Sequence, residues 1–146
     1  MTERSDTVPS WFFEQSSVIP WRRHHRGVEI LLITTPKKRR WIFPKGVIDP
    51  GLTARTAARK EALEEAGIDG IVSENRVGEY TYEKWKGICR VQVFAMQVTE
   101  MHPTWEEDQF RRRRWVSLQE ARELLDHREL RRLLRRFEDR LDDFLA

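Results

Sequence analysis

One cysteine, Cys89, serves the whole chain, so no internal disulfide forms and the fold must rest on its core. Set inside an alternating apolar run, that thiol reads as a small core side chain, not a nucleophile. Long apolar runs are lacking as well. The densest, Ile30-Leu-Leu-Ile33, falls far short of the roughly 20 residues that a membrane span needs. The first residues carry no apolar signal-peptide core, so a cytoplasmic location without membrane contact is expected. There is no internal repeat, low-complexity tract or break that would announce a second domain. At 146 residues the chain suits one domain with a real core. Charge is plentiful: 35% of the residues are charged, against 39% hydrophobic. The net charge of +3 hides clusters at Arg22-Arg23, Lys37–Arg40, Arg111–Arg114 and along 128–136. Such clusters suit polyanions, whether small polyphosphates, nucleic acid or a membrane surface.

Residues 1–15 are polar with scattered aromatics, and a flexible arm is expected there. Its Trp11, Phe12 and Phe13 would pack on the domain (residues 16–146) or on a second subunit, which leaves a homodimer open. Strands are predicted over 16–22, 27–35, 41–43, 71–72, 76–85 and 113–117. Another over 88–99 alternates, with Cys89, Val91, Val93, Ala95 and Gln97 on one face and Arg90, Gln92, Phe94, Met96 and Val98 on the other. Ser117 caps a helix over 118–126, and a last helix runs over 128–144 with an apolar stripe at 130, 133, 134, 137 and 141. The arginines between are more often a solvated helix face than a binding surface. Strands flanking one short helix, then a mixed sheet and closing helices, predict an α/β/α sandwich.

The most informative stretch is residues 41–68. A helix opens near Thr53 and stops at Gly67, where glycine tolerates the left-handed conformation. Glu61, Glu64 and Glu65 fall at i, i+3 and i+4 and share one side. Ala58, Ala62, Leu63 and Ala66 are expected on the other side, against a sheet. Like charges at i,i+4 destabilise a helix by roughly 0.2–0.5 kcal/mol each. A hard divalent cation reverses that sign, since Mg²⁺ takes carboxylate oxygens. Alone, E-x-x-E-E is more often a solvated acidic face.

Spacing adds to this. Counted from Gly46, residues Glu61, Glu64, Glu65, Gly67 and Ile68 stand in register with the Nudix hydrolase box, and Trp41-Ile-Phe-Pro-Lys-Gly46 resembles its lead-in. Leu52 stands where the box has Glu, Lys60 where it has Arg, and Ala62 where it has an aliphatic residue. The first two departures read as one event, the joint loss of a pair that can interact. The resemblance implies a Nudix-type α/β/α sandwich with a mixed sheet and a pyrophosphohydrolase dependent on Mg²⁺ or Mn²⁺. It further implies that Glu61, Glu64, Glu65 and the Gly46 carbonyl hold the metal, with Glu64 or Glu65 activating water. Glu106 and Glu107 are candidates for a further carboxylate from a distant loop. Arg22, Arg40, Lys45 and Arg90 are expected around the phosphates, and Trp21, Tyr80, Tyr82 or Trp85 could stack a base.

Within the family, VIPWR, the basic loop and RRRRWVSLQEA resemble the diadenosine polyphosphate and diphosphoinositol polyphosphate hydrolase branch. A small polyphosphate is therefore the expected partner, ahead of nucleic acid. Nucleoside triphosphates, ADP-ribose and RNA 5′-triphosphate are alternative substrates. A non-catalytic sensing or nucleic-acid-binding module is the alternative class, though it would have no reason to keep three repelling carboxylates on one helix face.

Overall fold

The computed structural model describes residues 12–25, 27–84 and 86–145, with Phe12 described by its backbone alone. In chain order the elements are β1 (Phe12–His24), β2 (Gly27–Thr34), β3 (Trp41–Ile42), β4 (Lys45–Val47), α1 (Ala54–Ala66), β5 (Ile68–Lys84), β6 (Gly87–Met101), β7 (Arg113–Ser117), α2 (Leu118–Leu124), α3 (Arg128–Asp139) and α4 (Leu141–Leu145). The strands form one sheet in the order β3-β2-β1-β6-β5, with β4 joined to β1 and β7 to β2. The β1–β6 ladder is parallel and the others antiparallel, so the sheet is mixed.

Alternation along the strands builds two cores. Val18, Leu31, Ile33, Phe94 and Met96 face α1 and meet Ala58, Ala62 and Ala66. Ile19, Trp21, Ile30, Leu32, Val91, Val93 and Ala95 face the other way, onto α2 and α3 through Ala121, Leu130, Leu133, Leu134 and Phe137. Helices on both faces make the α/β/α sandwich, and the predicted alternation of β6 holds at Val91, Val93 and Ala95 on one face and Phe94, Met96 and Val98 on the other.

Helix α1 has the predicted ends. The Thr53 hydroxyl accepts from the Thr56 amide while the Thr56 hydroxyl accepts from the Thr53 amide, a reciprocal cap. Gly67 closes the helix at φ 65°. One packing expectation fails. Leu63 is 41% exposed, because the buried stripe runs through Ala57, Ala58, Ala62, Glu65 and Ala66 and Leu63 lies about 60° past its edge at Ala66.

Several boundaries also move. Strand β1 begins at Phe12, not Ser16, because residues 12–15 continue the parallel ladder with β6. Polar Glu14 and Gln15 masked that continuation; Gln15 is buried and accepts from the Tyr82 hydroxyl at 2.7 Å. The rest of the expected arm, residues 1–11, lies outside the described residues. Lys45–Val47, read as a loop, is strand β4. The strands expected over 71–72 and 76–85 are one strand with register shifts between Val72 and Gly78. The last helix is interrupted at Arg140.

Strand β5 ends the sheet order and leaves a free edge. Arginines cover it: Arg132 donates to the Glu79 carbonyl at 2.8 Å, Arg136 to Val77 at 3.0 Å, and Arg55 to Val72 and Ser73 at 2.7 and 3.0 Å. The arginines of α3 are thus neither a plain solvated face nor a polyanion surface throughout, since two of them satisfy edge carbonyls that would otherwise invite another strand.

Gly67 is a critical joint. Any side chain there would be strained by the positive φ and would come within 2.8 Å of the Trp105 side chain. A left-handed non-glycine residue costs roughly 1–2 kcal/mol before that collision is counted. Gly67→Ala should therefore lower unfolding stability by at least that much, read by chemical denaturation, and an unchanged midpoint would contradict this account.

Candidate active site

Helix α1 lies against the loop that follows β3, and at their contact the carboxylates gather. Gly46 sits so close to Glu61 that a Cβ on it would collide with the Glu61 carboxylate. Only glycine allows this approach. Glu65 is almost wholly buried, with 7% exposed. One of its oxygens accepts from the Lys45 amide at 3.1 Å, and the other pairs with Arg111 at 3.3 Å. Burial pushes the carboxyls of Glu61 and Glu65 up to about 7; Glu64 adds to the effect on Glu61, while Arg111 and the Lys45 amide resist it at Glu65. Glu64 faces outward and pairs with Lys60 at 2.7 Å, and Lys60 also reaches Asp49 at 3.3 Å. Both acids hold the Lys60 ammonium above its usual range. Lys60 thus has two acidic partners without a Glu at position 52, where Leu52 is part-exposed.

A second segment completes this face. Residues 102–111 are pinned to the end of α1. The Trp105 indole donates to the Glu65 carbonyl at 3.0 Å, and the Glu107 amide donates to the Glu64 carbonyl at 3.1 Å. Arg113 donates to the carbonyls of Ala66 and His102 at 2.8 and 2.6 Å, with its guanidinium 3.9 Å from the Trp105 ring centroid. Arg111 bridges Glu65 and Glu107, the latter at 2.8 Å, and donates to the Thr34 carbonyl at 3.1 Å. Of the two acids expected from this loop, Glu107 stands beside the site and Glu106 is exposed.

The basic residues expected around phosphate separate. Arg40 and Lys45 line one cavity of about 220 Å³ with Phe43, Tyr80, Tyr82 and His127. Lys45 turns its side chain away from the carboxylates. Its Nζ donates to the Tyr82 hydroxyl at 3.2 Å and stands 5.0 Å from that ring's centroid. Burial lowers the Lys45 ammonium, and nearby Glu65 opposes this. Arg90 lies on the α1 face of the sheet, half-exposed, paired with Glu14 at 2.6 Å. Arg22 is elsewhere. It stands six residues along β1 from Ser16, roughly 20 Å at strand rise, and is bound to Glu29 at 2.7 Å and stacked on Trp115. Trp21 is buried in the core and offers no stacking face; Trp85 lies outside the described residues.

Arg111, Arg113 and Trp105 were not singled out from sequence. The run Arg111–Arg114 looked like a polyanion patch, but its burial alternates, with 111 and 113 inward and 112 and 114 exposed. Period-two parity extended back from the predicted strand at 113–117 is the signal that could have separated them.

The donor set suits a hard cation: a buried and a half-buried carboxylate, an outward third and the Gly46 carbonyl of β4, all oxygen. As they stand, no three acidic, His or Cys side chains among the described residues are gathered closely enough to hold a metal ion. Lys60 draws Glu64 aside and Arg111 draws Glu65. The fit is therefore best at Glu61 and Gly46, with Glu65 next to them.

Such a strand glycine against a helix with one carboxylate face, within a mixed-sheet sandwich, defines a class, and comparison with known proteins agrees. Residues 14–137 match the family model described as NUDIX domain, and the chain belongs to that family. Nudix hydrolase 12, mitochondrial, of Arabidopsis thaliana is 34% identical over 118 residues, which is 75% of this chain and 58% of that protein. The 8-oxo-(d)GTP phosphatase of Mycolicibacterium smegmatis is 33% identical over 78% of this chain and 35% of its own length. The chain thus spans well under two thirds of these relatives. A C. elegans Ap4A hydrolase binary complex superposes with a TM-score of 0.74 at 24% identity, covering 89% of this chain and 98% of that one, a likeness in fold. Among the described residues no helix is long and apolar enough to cross a membrane.

The raised carboxyls make stability depend on pH. Glu61 and Glu65 move from 4.5 to about 7 on folding, so the folded chain holds their protons more tightly than the unfolded one. Their contribution is then least unfavourable below about pH 4.5 and worsens as pH rises through 7. In chelator, Glu61→Gln should raise the melting temperature at pH 8 and flatten its decline between pH 4.5 and 7. A variant that melts lower at pH 8, with the slope intact, would refute the burial of charge at Glu61.

Proposed function

We propose that this protein is a divalent-cation-dependent hydrolase that cleaves a pyrophosphate bond in a nucleoside-capped polyphosphate. The observation that carries the reading is the joint between carboxylates and cavity. Lys45 gives its amide to Glu65 and its side chain to a cavity lined by two tyrosines, a histidine and Arg40. A phosphate chain suits the cations, and a base suits the aromatic wall. That wall favours a nucleoside end over an inositol ring. Names of relatives point the same way, one an 8-oxo-(d)GTP phosphatase and one structural neighbour an Ap4A hydrolase. The preference for diadenosine polyphosphates over nucleoside triphosphates rests on the spare cations of the loop at 37–40.

In this reading Glu61, Glu64, Glu65 and the Gly46 carbonyl would hold the cation, Glu64 at the expense of its pair with Lys60. Bound there, a divalent ion supplies charge neutralisation at the phosphate oxygens and a more acidic water. The chain's residues do the rest. Arg40 and Lys45 draw the polyphosphate toward the carboxylates, and Tyr82, fixed by Gln15, holds the substrate's base end. Glu65, fixed by Lys45 and Arg111, accepts a proton as water oxygen bonds to phosphorus. The anhydride P–O bond breaks and the departing phosphate leaves with the bond's electron pair. Burial raises the Glu65 carboxyl in the cation-free chain, and a bound cation would oppose that rise and favour the carboxylate that accepts the proton. A non-catalytic module is disfavoured by the same geometry, which keeps two desolvated acids beside each other.

The test is a panel of diadenosine polyphosphates, nucleoside triphosphates, ADP-ribose and inositol pyrophosphates with Mg²⁺ in ¹⁸O water, products being weighed by mass spectrometry. Hydrolysis of nucleoside-capped substrates is expected. Tyr82→Ala should raise KM, and Glu65→Gln should lower kcat by about 10²–10⁴ while the protein stays folded. Full turnover by Glu65→Gln, or no cleavage of any substrate, would overturn the proposal.

A further inference from the structure

Ser16 is fully buried, and its hydroxyl is the one buried side-chain polar atom among the described residues without a hydrogen-bond partner. Native interiors rarely leave such a group unpaired, and a missing water or ion is a usual reason. Its neighbour Ser17 shows the ordinary solution, donating to the Pro44 carbonyl at 2.7 Å.

Strand parity tells where the orphan points. Ser17 and Ile19 face α2 and α3; Ser16 and Val18 face α1, where Val18 joins the α1 core. Ser16 is also directly opposite Gly46 in the antiparallel β1–β4 ladder. Directly opposed residues project to the same face, with Cβ positions about 4.5–5.5 Å apart. The place of the absent Gly46 side chain is filled by the Glu61 carboxylate. Ser16 Oγ and Glu61 therefore flank one spot at Gly46.

Glu61 itself makes no hydrogen bond or ion pair among the described residues. One fully buried hydroxyl and one half-buried carboxylate thus stand at the same glycine, each without a hydrogen-bond partner among the described residues and not bonded to each other. Direct bonding would have satisfied both. A group that satisfied both would have to accept from a hydroxyl while bringing positive charge to a carboxylate. A hydrated divalent cation does both, because Mg²⁺-type ions keep several of their waters.

We propose that Ser16 belongs to the cation site, its hydroxyl reserved for the hydration shell of the ion held at Glu61 and Gly46. This rests on the cation site proposed above and adds to it a residue from β1, outside the helix and its lead-in loop. Ser16 acts as a positioning residue through the ion's waters.

The two roles open to Ser16 predict opposite behaviour. As a packing residue, Ser16→Ala would leave ion affinity alone. As part of the site, the same change should leave stability in chelator equal or higher, since a buried unpaired hydroxyl is removed. It should at the same time weaken ion binding, by about tenfold or more if it resembles other outer-shell contacts. Mn²⁺ binding to the full chain without substrate, followed by the electron paramagnetic resonance signal of free Mn²⁺, gives the affinity independently of catalysis. Melting in chelator gives the stability. Ser16→Cys, close in size but a poor donor, repeats the comparison without opening a void. Unchanged affinity in both variants, with wild type binding and Glu61→Gln not, would overturn the role of Ser16 and leave the cation site standing. Absence of binding in the wild type would overturn the site and the role of Ser16 together. Affinity lost only in step with a lower melting temperature in chelator would assign Ser16 to packing and overturn the inference.

Discussion

Glu65 is a carboxylate carried out of water on a helix that packs against a sheet, and much of the architecture around it answers that one cost. An unpaired charge in such a place is strongly unfavourable. The answer comes from three directions: the Lys45 amide from β4, the Arg111 guanidinium from beyond the 102–110 loop, and the aromatic cover of Trp105 on the helix end. Arg111 in turn is held by Glu107 and the Thr34 carbonyl. Helix α1, strand β2, the lead-in loop and the loop before β7 are thereby tied at one point. A side chain apt for chemistry is also the one that fixes its surroundings.

The same economy explains where the positive charge goes. Composition suggests surplus cations awaiting a polyanion, yet many are spent inside the molecule. Arg113 closes the carbonyl end of α1 against Trp105, and Arg55, Arg132 and Arg136 satisfy the free edge of β5. Arg22 is absorbed by Glu29 and Trp115. What remains near the cavity is Arg40 and Lys45, with Lys37–Arg39 beside them in an exposed turn. These cations are local to the cavity, and they adjoin the carboxylates through Lys45.

Lys45 also separates two surfaces. Strand β4 places Gly46 toward α1 and Lys45 toward the cavity, because neighbouring strand residues point to opposite faces. The acids therefore occupy one side of this short strand and the aromatic wall the other.

Local rules made much of this legible in advance. The ends of α1 follow from Thr53, Thr56 and Gly67, whose capping interactions lie within a few residues. The two faces of β6 follow from alternation, and the common side of Glu61, Glu64 and Glu65 from helical spacing. Family membership follows from that spacing counted from Gly46. Tertiary structure decided whatever depended on partners far along the chain. Strand pairing alone says that Ser16 opposes Gly46, that Arg22 lies at the far end of β1 and that Lys45 faces away from Glu65's helix. Docking alone says that Arg111 meets Glu65, that Glu107 and not Glu106 approaches the site, and that Leu63 is left in water. The sequence sets which groups can bear charge and at what local interval; only long-range pairing sets which of them lose their water, and that loss raises the carboxyls of Glu61 and Glu65 toward neutrality.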